Sequence, residues 1–203
     1  LTLSFMIFFL IIGFGYGFSS AITALLGNAL GKKRYKLASI YAHKGLVFVP
    51  LIGLTLSIIG YFFAPSLFMF LGAKDEYLQI SLDYINPILF GAIFFMFNFS
   101  LNSILIATGD TKTYRNSLIF GFFANLALNP LFMYGFLFVP AMGIKGIAFA
   151  TVLIQIINMF YLFYKVLQTK LIHFDKLEYF IPNLRIYKLF FTHGIPSSLN
   201  MLT

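Results

Sequence analysis

The chain has 203 residues, of which 60% are hydrophobic, 20% aromatic and only 10% charged, with a formal charge of +8. Soluble domains carry about 45 to 50% apolar residues, so this composition excludes an ordinary soluble domain and points to an integral membrane protein. The absence of cysteine excludes a disulfide and a thiolate metal site within the chain.

A spanning helix needs roughly 20 apolar residues plus a connection, which leaves room for about five to seven spans. Five apolar runs satisfy that requirement, at about 3–29, 45–64, 84–107, 116–139 and 144–167, and a further one begins near 189. Their continuous apolar character lacks the alternation of a membrane barrel strand, and a helix satisfies its own backbone groups in lipid. The expected fold is therefore all-α, a polytopic helical bundle. Leu1 lies inside an apolar run, with no initiator Met, charged n-region or cleavage site before it, so the chain reads as a fragment.

In the first run, Gly13, Gly17, Ser20, Ala24, Gly27 and Gly31 fall along one face. Such spacing predicts close backbone approach to a neighbouring membrane helix. The connector 64–83 is amphipathic and holds Asp75, Glu76 and Asp83. Of the 14 Lys and Arg residues, all but Lys74 and Lys145 fall in one alternate set of connections, from Lys32, Lys33, Arg34, Lys36 and Lys44 through Lys112 and Arg115 to Lys165, Lys170, Lys176, Arg185 and Lys188. The positive-inside rule places that set in the cytoplasm of a multi-pass protein of the cell (inner or plasma) membrane. The basic charge thus encodes topology, with the bilayer as partner, and gives no reason to expect nucleic acid. The stretch 168–188 mixes charge with aromatics and reads as a cytoplasmic linker.

Polar residues interrupt three successive runs. Pro87, Gly91, Phe94, Asn98 and Asn102 lie close to one face of the third; Ser117, Gly121, Asn125 and Asn129 share a face of the fourth; Ala148, Thr151, Gln155 and, slightly rotated, Asn158 follow in the fifth. Amides in hydrocarbon are costly unless partnered or set against a wet cavity, so a shared interior is expected. The alternative is hydrogen-bonding between helices, worth about 0.6 kcal/mol on average. Pro130 cannot donate to the carbonyl of Leu126 and disfavours helical geometry at Asn129, which predicts a bend with a freed acceptor suited to a cation or water. Phe94 offers a phenyl face to a flat organic cation.

Every Asp and Glu lies in or beside a loop, so no carboxylate inside a span can carry coupling charge. His43, His173 and His193 sit at loop edges without metal-site spacing and read as ordinary interfacial residues. No phosphate loop or nucleophile elbow is present, which argues against an enzyme.

Three blocks then become specific in combination: Ala107-Thr108-Gly109-Asp110-Thr111-Lys112-Thr113, Asn125-Leu126-Ala127-Leu128-Asn129-Pro130, and Pro140-Ala141-Met142-Gly143-Ile144-Lys145-Gly146 running on to Thr151. With Leu26-Gly27-Asn28-Ala29-Leu30-Gly31-Lys32 and Gly194-Ile195-Pro196-Ser197-Ser198-Leu199, they resemble the multidrug and toxic compound extrusion family. The resemblance covers nearly the whole chain. It implies twelve helices in two bundles, of which residues 1–167 supply the second to sixth helices, 168–188 the linker between bundles and 189–203 the start of the seventh; the rest of the N-terminal half and the C-terminal bundle would be missing partners. It also implies efflux of drug-like organic cations or other xenobiotics in exchange for sodium or protons, with no cofactor. Asn125 and Asn129 then mark a cation site, sodium included, and Thr151 a weaker lining position. The binding chamber is expected between Asn98, Asn102, Phe94, Asn125, Asn129, Thr151 and Gln155. Asn129 departs from the many members that carry Asp there, which leaves the coupling ion open. Rival readings are a flippase for lipid-linked oligosaccharides, disfavoured because no Arg or Lys lies deep in a span, and a structural protein without transport activity.

Overall fold

A computed structural model describes residues 2–135, 140–175 and 177–202. Among these residues six α-helices follow one another: α1 Thr2–Gly31, α2 Tyr35–Phe70, α3 Asp75–Ala107, α4 Lys112–Tyr134, α5 Ile144–Gln168 and α6 Leu184–Leu202, with a 3-10 turn at Leu177–Tyr179 before α6. Five of them, α1 to α5, are long and apolar enough to cross a membrane. The apolar runs thus become helices, but their limits move. The run expected at 45–64 is the middle of a 36-residue helix, about 54 Å long at 1.5 Å per residue against a hydrocarbon layer of about 30 Å. Hydropathy marks only the part immersed in lipid; the backbone ladder continues past it.

For the same reason the connector expected at 64–83 shrinks to a turn between α2 and α3. There the N–H groups of Leu71, Gly72 and Ala73 close on the carbonyls of Leu67, Met69 and Phe68, and Gly72 takes φ +91°. The fourth helix ends at Tyr134 rather than Val139, which lies outside the described residues, as does Lys176 of the basic set. The linker contracts to 169–183 because α6 already starts at Leu184.

α3 is the centre of the bundle, packed against α1, α2 and α5. Ile85, Ile88, Leu89, Ala92 and Met96 of this helix join Phe18, Ile22, Phe48, Val49 and Phe190 in one core, and Leu101, Ile104 and Leu105 join Leu26, Ala38, Ala42 and Leu162 in a second. α4 leans almost wholly on α5, and α6 lies along α1. The glycine face of α1 is used only in part. On that face a Cβ at Gly17 would strike α6, whereas Gly27 and Gly31 meet nothing within 4 Å and Ser20 and Ala24 are exposed; Gly15, on the opposite side of the helix, abuts the ring of Phe99. Of the expected face, Gly17 is where another backbone comes close, and the end at Gly27 and Gly31 is open.

At the end of the bundle rich in Lys and Arg, the linker is tied to α2. His43 is fully buried, with Tyr179 and Phe180 edge-on to its ring at centroid distances of 5.5 and 4.7 Å. Its Nδ1 lies 2.7 Å from the carbonyl of Ser39 and its Nε2 3.2 Å from that of His173; a carbonyl can only accept, and the shorter contact assigns the proton to Nδ1. Nε2 is left to accept the His173 backbone N–H at 3.0 Å. Ser39 donates to the Leu171 carbonyl at 2.7 Å, and Lys44 Nζ donates to the carbonyls of Glu178 and Ile181. His43 and His173 are therefore not independent interfacial residues: one is a buried clamp on the backbone of the other.

The turn into α4 shows why Asp110 stands in its motif. Gly109 adopts φ +92°, a conformation costly for any residue with a Cβ. Asp110 then accepts the backbone N–H groups of Lys112 and Thr113 at 3.1 and 2.9 Å and the Thr113 hydroxyl at 2.5 Å, capping the helix. The Thr113 hydroxyl and N–H hold the Asp110 carboxyl below the usual carboxylate range. A carboxylate with a depressed value stabilises the fold fully above its unfolded pKa of about 3.9, and that support fades as pH falls through the folded value. Asp110→Ala is expected to cost about 1 kcal/mol at neutral pH and less at a pH below about 3.9, while Asp110→Asn keeps most of the cap. Thermal unfolding in detergent at both pH values checks this; an Ala penalty independent of pH would refute the carboxylate cap.

Candidate functional site

α4 is held on α5 by backbone contacts at one end and small residues along the rest. The carbonyls of Phe132 and Met133 accept the N–H groups of Met142 and Gly143 at 3.0 and 3.1 Å. Gly146 sits against the backbone of Phe132, where a Cβ has no room, and Gly121 rests on Ile154 with its approach to Asn158 close to van der Waals contact. This register brings Asn125 opposite Thr151.

Asn125 Nδ2 donates to the Gly121 carbonyl at 3.2 Å, and Asn125 Oδ1 lies 3.5 Å from Thr151 Oγ1. The Thr151 hydroxyl has one proton and is closer to the Ile147 carbonyl, at 3.0 Å. Asn125 Oδ1 is thus an acceptor with spare capacity. One turn on, Asn129 Oδ1 is buried without a donor among the described residues. Pro130, inside α4, has no N–H for the Leu126 carbonyl. Three oxygens on one short stretch consequently lack a full complement of donors. A buried acceptor left unpaired costs about 1–3 kcal/mol, and a set of neutral oxygens without donors suits a cation or a donor group of a substrate.

The amides of α3 serve a different contact. Asn98 Nδ2 donates to both the backbone carbonyl and the Oε1 of Gln155, at 2.9 and 2.7 Å, which ties α3 to α5. Asn98 Oδ1 and Asn102 Oδ1 remain buried, with no donor among the described residues. Phe94, one turn earlier, is half-buried. The structure therefore brings together Asn125 with Thr151 and Asn98 with Gln155, but in two places: α3 and α4 barely meet, and α5 stands between them. Thr151 and Gln155 stand one turn apart on the same side of α5, so the two contacts are neighbours on it, with α4 meeting that stripe at Thr151 and α3 meeting it at Gln155.

The described residues hold no cluster of three or more His, Cys, Asp or Glu side chains. Sequence reasoning missed the clamp at His43 and Lys44 and an ion pair between Lys145 and Asp83, 3.3 Å apart. The second could have been anticipated, since both residues fall in the same alternate set of connections. The first has backbone groups as partners, and these carry no sequence signal.

The family model described as MatE matches residues 1–131. The chain is 33% identical over 202 residues to the "Probable multidrug resistance protein YoeA" of Bacillus subtilis (strain 168), covering 98% of this chain and 43% of that protein. It resembles a structure titled as the inward-facing conformation of a multidrug resistance MATE family transporter of the MOP superfamily, with a TM-score of 0.87, 28% identity and coverage of 98% and 45%. The outward-facing conformation of such a transporter matches with a TM-score of 0.86, 28% identity and coverage of 99% and 44%. The chain spans a little under half the length of these relatives. Five membrane-length helices in this arrangement, the amide-proline block of α4 and the match of the family model lead to one assignment: the chain belongs to the MatE family of multi-pass membrane transporters.

Proposed function

We propose that this chain works as part of a secondary active exporter of drug-like organic cations, driven by inward movement of sodium or protons. On this reading it supplies the second to sixth helices and the beginning of the seventh, with the Lys- and Arg-rich end in the cytoplasm. The observation that carries the reading is the α4 stretch from Asn125 to Pro130, where Asn129 Oδ1 is buried without a donor and Asn125 Oδ1 is only weakly engaged by Thr151. Neutral oxygens hold a cation without the full charge that would prevent its release. Ion and substrate favouring different states would then exclude one another, which is the thermodynamic content of exchange. The near-equal likeness to inward- and outward-facing relatives supports a unit that moves as one body. Phe94, Asn102 and Gln155 belong to the wider wall of the chamber in this proposal, and the coupling charge comes from outside α1 to α6.

Ethidium efflux from vesicles containing the complete transporter, under an imposed sodium or proton gradient, tests the proposal. One of the two gradients is expected to drive efflux; failure of both overturns antiport. At matched expression, Asn125→Ala and Asn129→Ala are expected to lower efflux about tenfold, the equivalent of one lost hydrogen bond to a charged group, while Asn158→Ala stays close to the parent. Equal activity of all three variants would remove the special role of α4.

A further inference from the structure

A groove of about 910 Å³ runs between α2, α3 and α5 at the end of the bundle opposite the basic loops. Its walls are apolar: Leu54 and Ile58 from α2, Ile93 from α3, Phe149 and Val152 from α5. On α5 the groove residues Lys145, Phe149 and Val152 occupy the side opposite Thr151, Ile154 and Asn158, so the groove faces away from the α4 amides. Its volume falls within the range of about 300–1,000 Å³ typical of small-molecule sites.

The polar groups are gathered at one end. Lys145, at the start of α5, pairs with Asp83 of α3, and their side chains are 53% and 28% exposed, so both keep hydrogen-bonding capacity to spare. Asn86, one turn after Asp83, lines the same mouth. Pro87 has no N–H for the Asp83 carbonyl, which leaves a further acceptor beside the carboxylate. A cation, a carboxylate, an amide and a free carbonyl thus stand together above an apolar slot, at the helix ends where a membrane surface would lie.

We propose that this groove binds a glycerophospholipid with a primary ammonium headgroup, of the phosphatidylethanolamine type, from the leaflet at that end. The acyl chains cover the apolar walls. The phosphate replaces Asp83 as the partner of Lys145, and the ammonium donates to the Asp83 carboxylate and carbonyl and to the Asn86 amide oxygen. A quaternary ammonium cannot donate these bonds, and an uncharged glycerol headgroup leaves Asp83 without a cation. The head thus matches the mouth in both charge and donor count.

Native mass spectrometry of the detergent-purified complete transporter, equilibrated with equimolar phosphatidylethanolamine, phosphatidylcholine and phosphatidylglycerol of identical acyl chains, tests this. Retained phosphatidylethanolamine is expected at about fivefold or more over either competitor, the discrimination a partly exposed ion pair supports. Combining Asp83→Asn with Lys145→Met is expected to abolish the preference, and Ile58→Trp, from an exposed wall position, to reduce the retained lipid. Equal retention of the three lipids by the parent protein overturns the proposal whatever the variants do. So does a preference that survives the double substitution, or one-for-one displacement of the lipid by ethidium, which would make the groove a vestibule for amphipathic cations.

Discussion

His43→Ala is expected to release the linker 169–183 from α2. The imidazole accepts the His173 N–H, is held in the required tautomer by the Ser39 carbonyl, and fills the space between Tyr179 and Phe180. Removing it leaves a part-buried N–H without its acceptor and a cavity among aromatic rings, together costing about 2–4 kcal/mol locally. Lys44→Met is a milder test. The carbonyls of Glu178 and Ile181 that it leaves belong to exposed residues and can turn to water. Hydrogen exchange reads the difference: the amide of His173 is expected to exchange about 30-fold faster or more in His43→Ala, with a smaller change in Lys44→Met. Unchanged exchange across 171–181 in His43→Ala would show that the linker is held by its own packing. The consequence for transport follows from position, since on the proposed reading this segment joins the two bundles.

That clamp also marks the boundary of what the sequence discloses. Hydropathy locates each membrane helix because burial in lipid demands continuous apolar residues, and Asn125 and Thr151 are legible as candidates because amides and hydroxyls there are costly. Helix ends are less legible. Residues 35–44 of α2 continue the backbone ladder outside the apolar run, where polar and basic residues are mixed in, and 65–70 continue it past Pro65, a residue that by itself suggests a stop. Least legible are contacts between distant segments. Nothing local to α5 says that Gln155 meets Asn98 while Thr151 meets Asn125, because periodicity gives the face of a helix and not its neighbour. For His43, 130 positions separate it from its partner, and a backbone N–H looks the same in every residue.

The crossing of α1 and α6 gives a prediction in which two chemically identical substitutions have opposite signs. Gly17 lies so close to α6 that a Cβ would stand 2.5 Å from the backbone nitrogen of Ser198 and 2.7 Å from the Gly194 carbonyl oxygen. These are backbone atoms of a helix turn already closed by the Ser198 hydroxyl on that same carbonyl at 2.9 Å, so the neighbour cannot yield by a rotamer change. From the other side, Gly194 abuts the ring of Phe18, a core residue packed edge-on to Phe48 and Phe191 at centroid distances of 5.2 and 5.5 Å. Gly17→Ala therefore has to separate two backbones, and is expected to destabilise by about 1–3 kcal/mol. Gly27, ten residues further along the same helix, has nothing within 4 Å of the position a Cβ would take. There the loss of glycine's freedom in the unfolded chain dominates, and Gly27→Ala is expected to stabilise by about 0.5–1 kcal/mol. Thermal unfolding of the two variants, with exchange of the α6 amides as the local readout, separates the cases: faster exchange in α6 for Gly17→Ala only. If both variants shift stability in the same direction, close approach at Gly17 does not hold α6 to α1, and the linker clamp at His43 becomes the main tie between α6 and the remaining helices.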